Sequence, residues 1–206
     1  MIDMKTCLFK TIGCKVNQYE TQLLREGFSA NGYREVSDEK EAEVCVVNTC
    51  TVTKKSDEKS KRAIARIIRK NPHARVIVTG CAVDNEFSVV NKIKGVSLFV
   101  RNLDKSKILS LVNSNCGKPV DVITAFSNRD KAFVKIEDGC NNFCSYCIVP
   151  FTRGRAKSRD AGEIKGEVEN LCRAGYKEII LTGINIGFFG RDKGKGLVSL
   201  LEGLMS

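Results

Sequence analysis

The chain has 206 residues, of which 42% are hydrophobic, with a formal charge of +10 and ten cysteines. This composition is typical of a folded globular protein and excludes a disordered chain. No apolar stretch reaches the roughly 20 residues that span a bilayer, and the amino terminus has no signal-peptide pattern. We therefore expect a cytoplasmic protein with no membrane partner, in which cysteines bind metal rather than form a disulfide scaffold.

The first hundred residues alternate short β-type runs with helical patterns. Strands are expected over 5–12, 42–49, 74–80 and 96–100, and helices over 17–33, 53–70, 84–93 and 104–113. Alternation at this spacing predicts βαβ units and a parallel sheet. The predicted fold class is α/β, with an amino-terminal domain over residues 1–115.

The helix expected over 53–70 belongs to a strongly basic segment. Residues 54–75 hold nine Lys or Arg and two Asp or Glu, a net charge of +7. A concentrated basic face favours a nucleic acid as partner, because phosphate neutralisation supplies most non-specific affinity. A helix face that is merely solvated is the other interpretation, and charge alone does not decide between them.

Three cysteines follow the first three predicted strands. Cys14, Cys50 and Cys81 each lie just past a strand, in the turn that leads to a helix. The carboxyl ends of parallel strands lie along one edge of the sheet, where open α/β folds bind ligands. The repeated position favours a shared site over three unrelated thiols. Cys7 and Cys45 lie within strands and are expected to be packing residues.

A second α/β pattern follows a stretch without periodicity. We interpret residues 116–130 as a linker and residues 131–206 as the start of a second domain. A strand is expected over 131–137, a helix over 158–175 with Asp160 as N-cap, and a strand over 176–183. Cys172 on that helix is expected to pack in the core. Since two β/α units cannot close a barrel, we expect a truncated chain with an incomplete second domain.

A cysteine triplet follows the strand over 131–137. In "EDGCNNFCSYCIVPFTRGR", Cys140, Cys144 and Cys147 are separated by three residues and then two, with no fourth cysteine nearby. Structural zinc and ordinary iron–sulfur sites are usually closed by four protein ligands. An open coordination position is typical of a catalytic metal site.

The triplet and its strand resemble those of the radical S-adenosylmethionine (SAM) enzymes. The resemblance implies an incomplete barrel of the TIM type, with the triplet holding three irons of a 4Fe–4S cluster and SAM bound to the fourth. It places Tyr146 beside the adenine, and Thr182, Gly183 and Asn185 of "LTGIN" near the methionine part. Loop packing for Tyr146 and strand termination by Gly183 remain the alternatives.

Further motifs narrow the resemblance to the methylthiotransferases. "GCKVNQYET", "NTCTV", "TGC", "VPFTRGRAKSR" and "TGINIGFFG" are all similar to motifs of that family and cover essentially the whole chain. The resemblance implies that Cys14, Cys50 and Cys81 hold an auxiliary 4Fe–4S cluster, so that the protein carries two clusters. "GCKVNQYET" is most similar to the enzymes that act on N6-threonylcarbamoyladenosine in tRNA.

The resemblance also implies a reaction and its partners. A methylthio group would be added at C2 of N6-threonylcarbamoyladenosine 37 in tRNA. One SAM would provide the methyl group for sulfur at the auxiliary cluster, and a second would provide the radical that activates C2. An electron donor of the flavodoxin or ferredoxin type and a sulfur donor would be required. Family members continue beyond this length, so the chain alone is expected to be inactive or impaired.

The residues leave alternatives open for the function. The same chemistry could act on isopentenyl-adenosine in tRNA or on a ribosomal-protein aspartate. A non-catalytic iron–sulfur or zinc module for RNA binding or electron transfer is the alternative of another class.

Four cations after the triplet are expected to contact tRNA phosphates, or else to hold the loop or the cofactor: Arg153, Arg155, Lys157 and Arg159.

Overall fold

The computed structural model describes residues 4–114, 116–117, 119–126, 130–191, 193–194 and 196–205. They form two compact units, residues 1–121 and residues 122–206, and the division falls within the predicted linker. Residues 118 and 127–129 of that linker lie outside the described residues. In the parts that are described, no helix is both long and apolar enough to cross a membrane.

The first unit is built on a five-stranded sheet. Its strands are β1 (Thr6–Thr11), β2 (Arg34–Glu35), β3 (Val44–Thr49), β4 (Arg75–Gly80) and β5 (Leu98–Val100). The order across the sheet is β2–β1–β3–β4–β5, and each neighbouring pair is parallel. The α/β class with a parallel sheet is thus confirmed, and only the two-residue edge strand β2 was not predicted.

Three helices cover the two faces of this sheet. They are α1 (Lys15–Ala30), α2 (Lys54–Lys70) and α3 (Ile108–Val112). Successive residues of a strand point to opposite faces, so Cys45 and Val47 of β3 pack in one core with Ile64 of α2. Val46 packs in the other core with Phe28 of α1. Cys7 and Cys45 are buried in these cores, as their positions within strands predicted.

Helix α2 has well-defined ends. The Thr53 side chain accepts a hydrogen bond from the Ser56 N–H, and Asn71 follows the last turn as the C-cap residue. The Asn71 amide donates to the carbonyls of Glu39, Lys40 and Ala42, which ties this end to the loop before β3. Only Ser60, Ile64 and Ile67 of α2 are buried, so the opposite face is open to solvent.

Two predicted helices take a different form in the structure. The helix expected over 84–93 is a 3₁₀ turn at Val89–Lys92, and the one over 104–113 is a 3₁₀ segment at Asn102–Lys107 followed by α3. Polar side chains explain the first difference. Asn85 accepts from the Phe87 N–H and Ser88 accepts from the Val90 N–H, and such local bonds compete with a regular helix.

The second unit combines a parallel and an antiparallel strand pair. In chain order it contains β6 (Lys131–Lys135), β7 (Glu137–Asp138), α4 (Val149–Arg153), β8 (Lys157–Ser158), α5 (Ala161–Arg173), β9 (Glu178–Thr182) and α6 (Leu197–Met205). β6 pairs with β9 in parallel, and β7 pairs with β8 antiparallel. Asp160 caps α5 by accepting from the N–H groups of Gly162 and Glu163, as predicted. The short elements β7, α4 and β8 were not predicted.

Part of the predicted linker packs on the second unit. The Ile123 N–H donates to Glu167 Oε1 at 2.8 Å, and the Tyr176 hydroxyl donates to the Phe126 carbonyl at 3.0 Å. Ile123 and Phe126 are both buried.

One expectation on this unit is wrong: Cys172 does not pack in the core but is exposed, because α5 buries Leu171 instead.

Candidate metal centres

The first unit brings the three strand-end cysteines to one edge of its sheet. Cys14 is the N-cap residue of α1, Cys50 directly follows β3, and Cys81 directly follows β4. In the β3–β4 ladder Thr49 is paired with Gly80, so the cysteines that come next, Cys50 and Cys81, leave the sheet side by side. All three cysteines thus lie just past a strand, as predicted, and a shared metal site there stays a prediction.

A glycine lets the Cys14 turn approach Cys50. A Cβ on Gly13 would lie 2.6 Å from the Cys50 Cβ and 3.0 Å from its Sγ. Gly13 also has φ of +110°, a conformation that residues with a Cβ rarely adopt. The turn before Cys14 is therefore in direct contact with the Cys50 side chain.

Asn17 holds these two turns together. Its amide Nδ2 donates to the carbonyl of Ile12 at 2.8 Å and to that of Thr49 at 2.9 Å. These carbonyls lie two residues before Cys14 and one before Cys50. Asn17 is fully buried, and its own carbonyl accepts from the Asn48 side chain at 3.0 Å. Sequence analysis missed this role, although the asparagine of "GCKVNQYET" comes only three residues after Cys14.

Ser60 of α2 holds the backbone of Cys50, and charge on the other two cysteines affects the pKa of Cys50. Its N–H donates to Ser60 Oγ, and Ser60 Oγ donates to its carbonyl. Burial raises the pKa of Cys50, and negative charge on Cys81 and on Cys14 would raise that pKa further. Thiolates at Cys14 and Cys81 would thus disfavour a thiolate at Cys50 unless a cation lies nearby.

Among the described residues, no group of three His, Cys, Asp or Glu side chains is arranged to hold one ion. In an iron–sulfur cluster each thiolate binds a different iron, which requires wider spacing than one ion does. Soft thiolates are typical ligands of zinc as well as of iron–sulfur clusters, and all three strand-end cysteines are free of disulfides.

In the second unit the triplet lies on a loop over 139–148, between β7 and α4. The Cys147 N–H donates to the Cys144 carbonyl at 2.9 Å, and the Cys140 N–H donates to the Gly154 carbonyl at 3.0 Å. Phe143 has φ of +46°, and its ring packs edge-on against Phe151 of α4. These contacts shape the loop between the cysteines.

The loop is clamped at its base by an ion pair and a close backbone approach. Arg153 Nη1 lies 2.9 and 3.1 Å from the two carboxylate oxygens of Asp138. A Cβ on Gly139 would lie 2.1 Å from the Arg155 carbonyl oxygen, so only glycine fits there. The β7–β8 ladder thereby joins the strand before the triplet to the segment after it.

Glu137 connects the triplet strand to the segment "LTGIN". Its Oε2 accepts from the N–H groups of Ile184 and Asn185, each at 2.9 Å, and a Cβ on Gly183 would lie 2.8 Å from it. Glu137 is fully buried, which raises its pKa, and its Oε1 has no hydrogen-bond partner in the described part of the chain. Sequence analysis did not single out this carboxylate, although it ends the strand that leads to the triplet.

The residues predicted to contact SAM differ in exposure and lie on two separate segments of the second unit. Tyr146 is 90% exposed beside Cys144, so it is not packed into the loop. Thr182 is buried at the end of β9, where it pairs with Lys135 of β6, and Gly183 and Asn185 follow in the turn held by Glu137. The structure thus places Thr182, Gly183 and Asn185 at the carboxyl end of the strand next to β6, which itself leads to the triplet.

The four cations after the triplet divide between the two interpretations, contact with phosphates and holding the loop. Arg153 is buried in its ion pair with Asp138, so it holds the loop and cannot meet a phosphate. Arg159 Nη1 lies 2.6 Å from Glu167 Oε2 and donates to the Lys135 carbonyl. Only Arg155 and Lys157 are exposed, and the Arg155 guanidinium lies over the Phe143 ring.

Comparison with known proteins identifies both halves of the chain. Residues 134–188, which include the triplet, match the radical SAM superfamily, and this defines the class of protein. Residues 6–100, which include the strand-end cysteines, match the uncharacterized protein family UPF0004. Together with the relatives described next, these matches show that the chain belongs to the radical SAM methylthiotransferase family.

Several curated relatives align along most of the chain. The chain is 40% identical to the threonylcarbamoyladenosine tRNA methylthiotransferase MtaB of Bacillus subtilis, over 92% of the chain and 46% of that protein. It is 38% identical to the protein of the same name from Chlamydia pneumoniae, over 93% of the chain and 46% of that protein. It is 34% identical to the tRNA-2-methylthio-N(6)-dimethylallyladenosine synthase of Fervidobacterium nodosum, over 97% of the chain and 49% of that protein. The chain thus spans about half the length of the relatives it matches.

Proposed function

We propose that the protein takes part in methylthiolation of tRNA, adding sulfur and a methyl group at C2 of N6-threonylcarbamoyladenosine 37 by radical SAM chemistry. The observation that carries the proposal is that six cysteines fall into two groups of three, one at the strand ends of the first unit and one on the loop over 139–148 of the second. Three thiolates leave one iron of a 4Fe–4S cluster without a protein ligand. Two such sites supply two open positions, and the proposed reaction needs both.

The first site is proposed to hold the auxiliary cluster. Cys14, Cys50 and Cys81 would be its ligands, with Asn17 and Gly13 keeping the two turns at the right separation. Burial of Cys50 and Cys81 keeps water from these sulfurs. The exposed Cys14 marks the side from which a sulfur donor and the substrate would approach.

The second site is proposed to hold the cluster that binds SAM. When bound, a cluster with an open iron supplies an electron that cleaves SAM and yields a carbon-centred radical. Cys140, Cys144 and Cys147 would be its ligands on a loop that Asp138 and Arg153 clamp in place. Thr182, Gly183 and Asn185 would hold the methionine part, and exposed Tyr146 would cover the adenine. An electron donor of the flavodoxin or ferredoxin type is required to reduce this cluster.

The choice of substrate rests on the relatives. The proteins from Bacillus subtilis and Chlamydia pneumoniae that carry the threonylcarbamoyladenosine name are more similar to this chain than the dimethylallyladenosine synthase is. A charge of +10 suits a polyanionic substrate. A tRNA substrate and cysteines free of disulfides support a cytoplasmic location.

The test is an assay of the reconstituted full-length protein on three substrates. tRNA with N6-threonylcarbamoyladenosine, tRNA with isopentenyl-adenosine and ribosomal protein would be incubated with SAM, a reductant and sulfide, and the products analysed by mass spectrometry. A gain of one methylthio group on the first substrate alone is expected. A product on either of the others would overturn the substrate assignment, and zinc without iron in the purified protein would overturn the chemistry.

A further inference from the structure

The solvent face of α2 carries a continuous stripe of cations. Its members recur every three or four residues and are all exposed: Lys55, Lys59, Arg62, Arg66 and Arg69. At 3.6 residues per turn this spacing aligns them along one side of the helix, over about 21 Å. The buried residues Ser60, Ile64 and Ile67 lie on the opposite side. We call these five residues the α2 stripe.

The charge of the α2 stripe is not neutralised within the first unit. Arg66 pairs with Glu39, but no ion pair involves the other four members in the described part of the chain. Of the two acidic residues on α2, Asp57 accepts hydrogen bonds from Ser88 and Thr51 instead. Like charges three or four residues apart destabilise a helix. An external polyanion would remove that repulsion.

The surroundings of the α2 stripe favour a nucleic acid over an acidic protein. Docking surfaces for proteins have an apolar centre, but none of the exposed large hydrophobic residues lies on α2, which is described in full. The cations are spaced at about 4.5–6 Å along the helix axis, and Lys and Arg side chains are common contacts to phosphate oxygens. Beside Arg62 and Arg66 the surface has a cleft of about 190 Å³, which exposed Lys10 and the Arg66 partner Glu39 also line.

The position of α2 connects this surface to the candidate auxiliary site. The helix begins at Lys54, four residues after Cys50, and Ser60 on its buried side holds the Cys50 backbone. An RNA that reaches the strand-end cysteines could therefore lie along α2. We propose that the α2 stripe binds the phosphate backbone of the RNA substrate. This inference rests on the proposed function, in which that RNA is tRNA.

Binding of tRNA to two matched triple variants tests this inference. Lys55→Gln/Arg62→Gln/Arg69→Gln removes three charges from the stripe, and Lys40→Gln/Lys92→Gln/Lys94→Gln removes three exposed charges elsewhere on the same unit. Glutamine is a good helix former, so α2 should stay folded, which circular dichroism would verify. The dissociation constant for unmodified tRNA would be measured by filter binding across a series of salt concentrations.

The stripe variant should bind tRNA about tenfold or more weakly at low salt. The slope of log affinity against log salt should become shallower by about 2 to 3, since each phosphate contact contributes nearly one unit. The control variant should keep the wild-type slope. Equal affinities and slopes in both variants would overturn the inference. So would unchanged tRNA binding combined with loss of reduction by an acidic electron-transfer protein, because the stripe would then be a protein-docking face.

Failure of the α2 stripe inference can be distinguished from failure of the proposed function. A wild-type protein that methylthiolates tRNA while the stripe variant binds normally would refute only the stripe. A full-length wild-type protein without that activity, whose tRNA affinity still falls in the stripe variant, would support the stripe and refute the function.

Discussion

The side-chain amide of Asn17 donates a 2.9 Å hydrogen bond to the carbonyl of Thr49, the residue before Cys50. The same nitrogen donates to Ile12, two residues before Cys14. One buried amide therefore fixes the separation of two turns that come from different strands. If these turns hold a cluster, its stability depends on a residue that is not a ligand.

Replacing Asn17 should remove the auxiliary cluster alone. Asn17→Leu removes the donor to the buried Thr49 carbonyl and to the half-buried Ile12 carbonyl, which costs about 1–3 kcal/mol for a fully buried group and lets the turns separate. We expect the iron content after reconstitution to fall by about half, with the triplet cluster still present. Iron and sulfide analysis with electron paramagnetic resonance would measure this.

Asn71 offers the matched control for that change. Its amide also donates to several carbonyls of the same unit, but at the end of α2 that is remote in sequence from Cys50. Asn71→Leu should lower the stability of the unit and leave the iron content intact. Equal iron loss in both variants would mean that Asn17 acts only through global stability.

Gly13 should tolerate no side chain. In Gly13→Ala the new Cβ would meet the Cys50 Cβ at 2.6 Å, and the φ of +110° would be strained as well. We expect the auxiliary cluster to be lost or only partly assembled. Gly32→Ala is the control, because Gly32 also has positive φ but nothing within 4 Å of its Cβ position. Normal cluster content in Gly13→Ala would contradict the close approach of the two turns.

Glu137 should affect binding of SAM through the turn it holds. Glu137→Ala removes the acceptor of the Ile184 and Asn185 N–H groups, whereas Glu137→Gln keeps a carbonyl oxygen in the same place. We expect SAM affinity to fall about tenfold or more in the first variant and to be largely kept in the second. Equilibrium binding to the cluster-loaded protein would measure it. Equal loss in both variants would show that the charge, and not the hydrogen bonds, is required.

Thiol reactivity should separate packing cysteines from exposed ones. Burial, with a smaller contribution from Glu35, raises the pKa of Cys7 to about 12, and burial raises that of Cys45 to about 11. The reactive thiolate is therefore scarce at pH 8, because it forms only as the pH approaches the pKa. Exposed Cys172 should be alkylated within minutes in the folded protein, while Cys7 and Cys45 should react only after unfolding. Peptide mass spectrometry would detect the labels, and early labelling of Cys7 would contradict the fold of β1.

The sequence was informative where periodicity and topology decide the structure. The parallel sheet and the meeting of Cys50 with Cys81 follow from strands that alternate with helices, because parallel strands end at the same edge. The Asp160 cap follows from local chemistry in the same way.

What could not be predicted depends on contacts between distant residues. Asn17 and Thr49 are 32 positions apart, and Glu137 and Asn185 are 48 apart, so no local pattern indicates either bond. Arg153 reads as an exposed cation in "TRGR", and only its contact with Asp138 shows that it is buried. Cys172 has a helical position next to Leu171, and a shift of one residue decides which of the two faces the core.

The most direct test of the account is the iron and sulfide content after anaerobic reconstitution. It would be measured in the wild-type protein, in Cys140→Ala/Cys144→Ala/Cys147→Ala and in Cys14→Ala/Cys50→Ala/Cys81→Ala, with Mössbauer spectra to identify the clusters. Two separate 4Fe–4S sites predict about eight irons in the wild type and about four in each triple variant. About four irons in the wild type and none after loss of the triplet would contradict the account, because the strand-end cysteines would then be ordinary thiols.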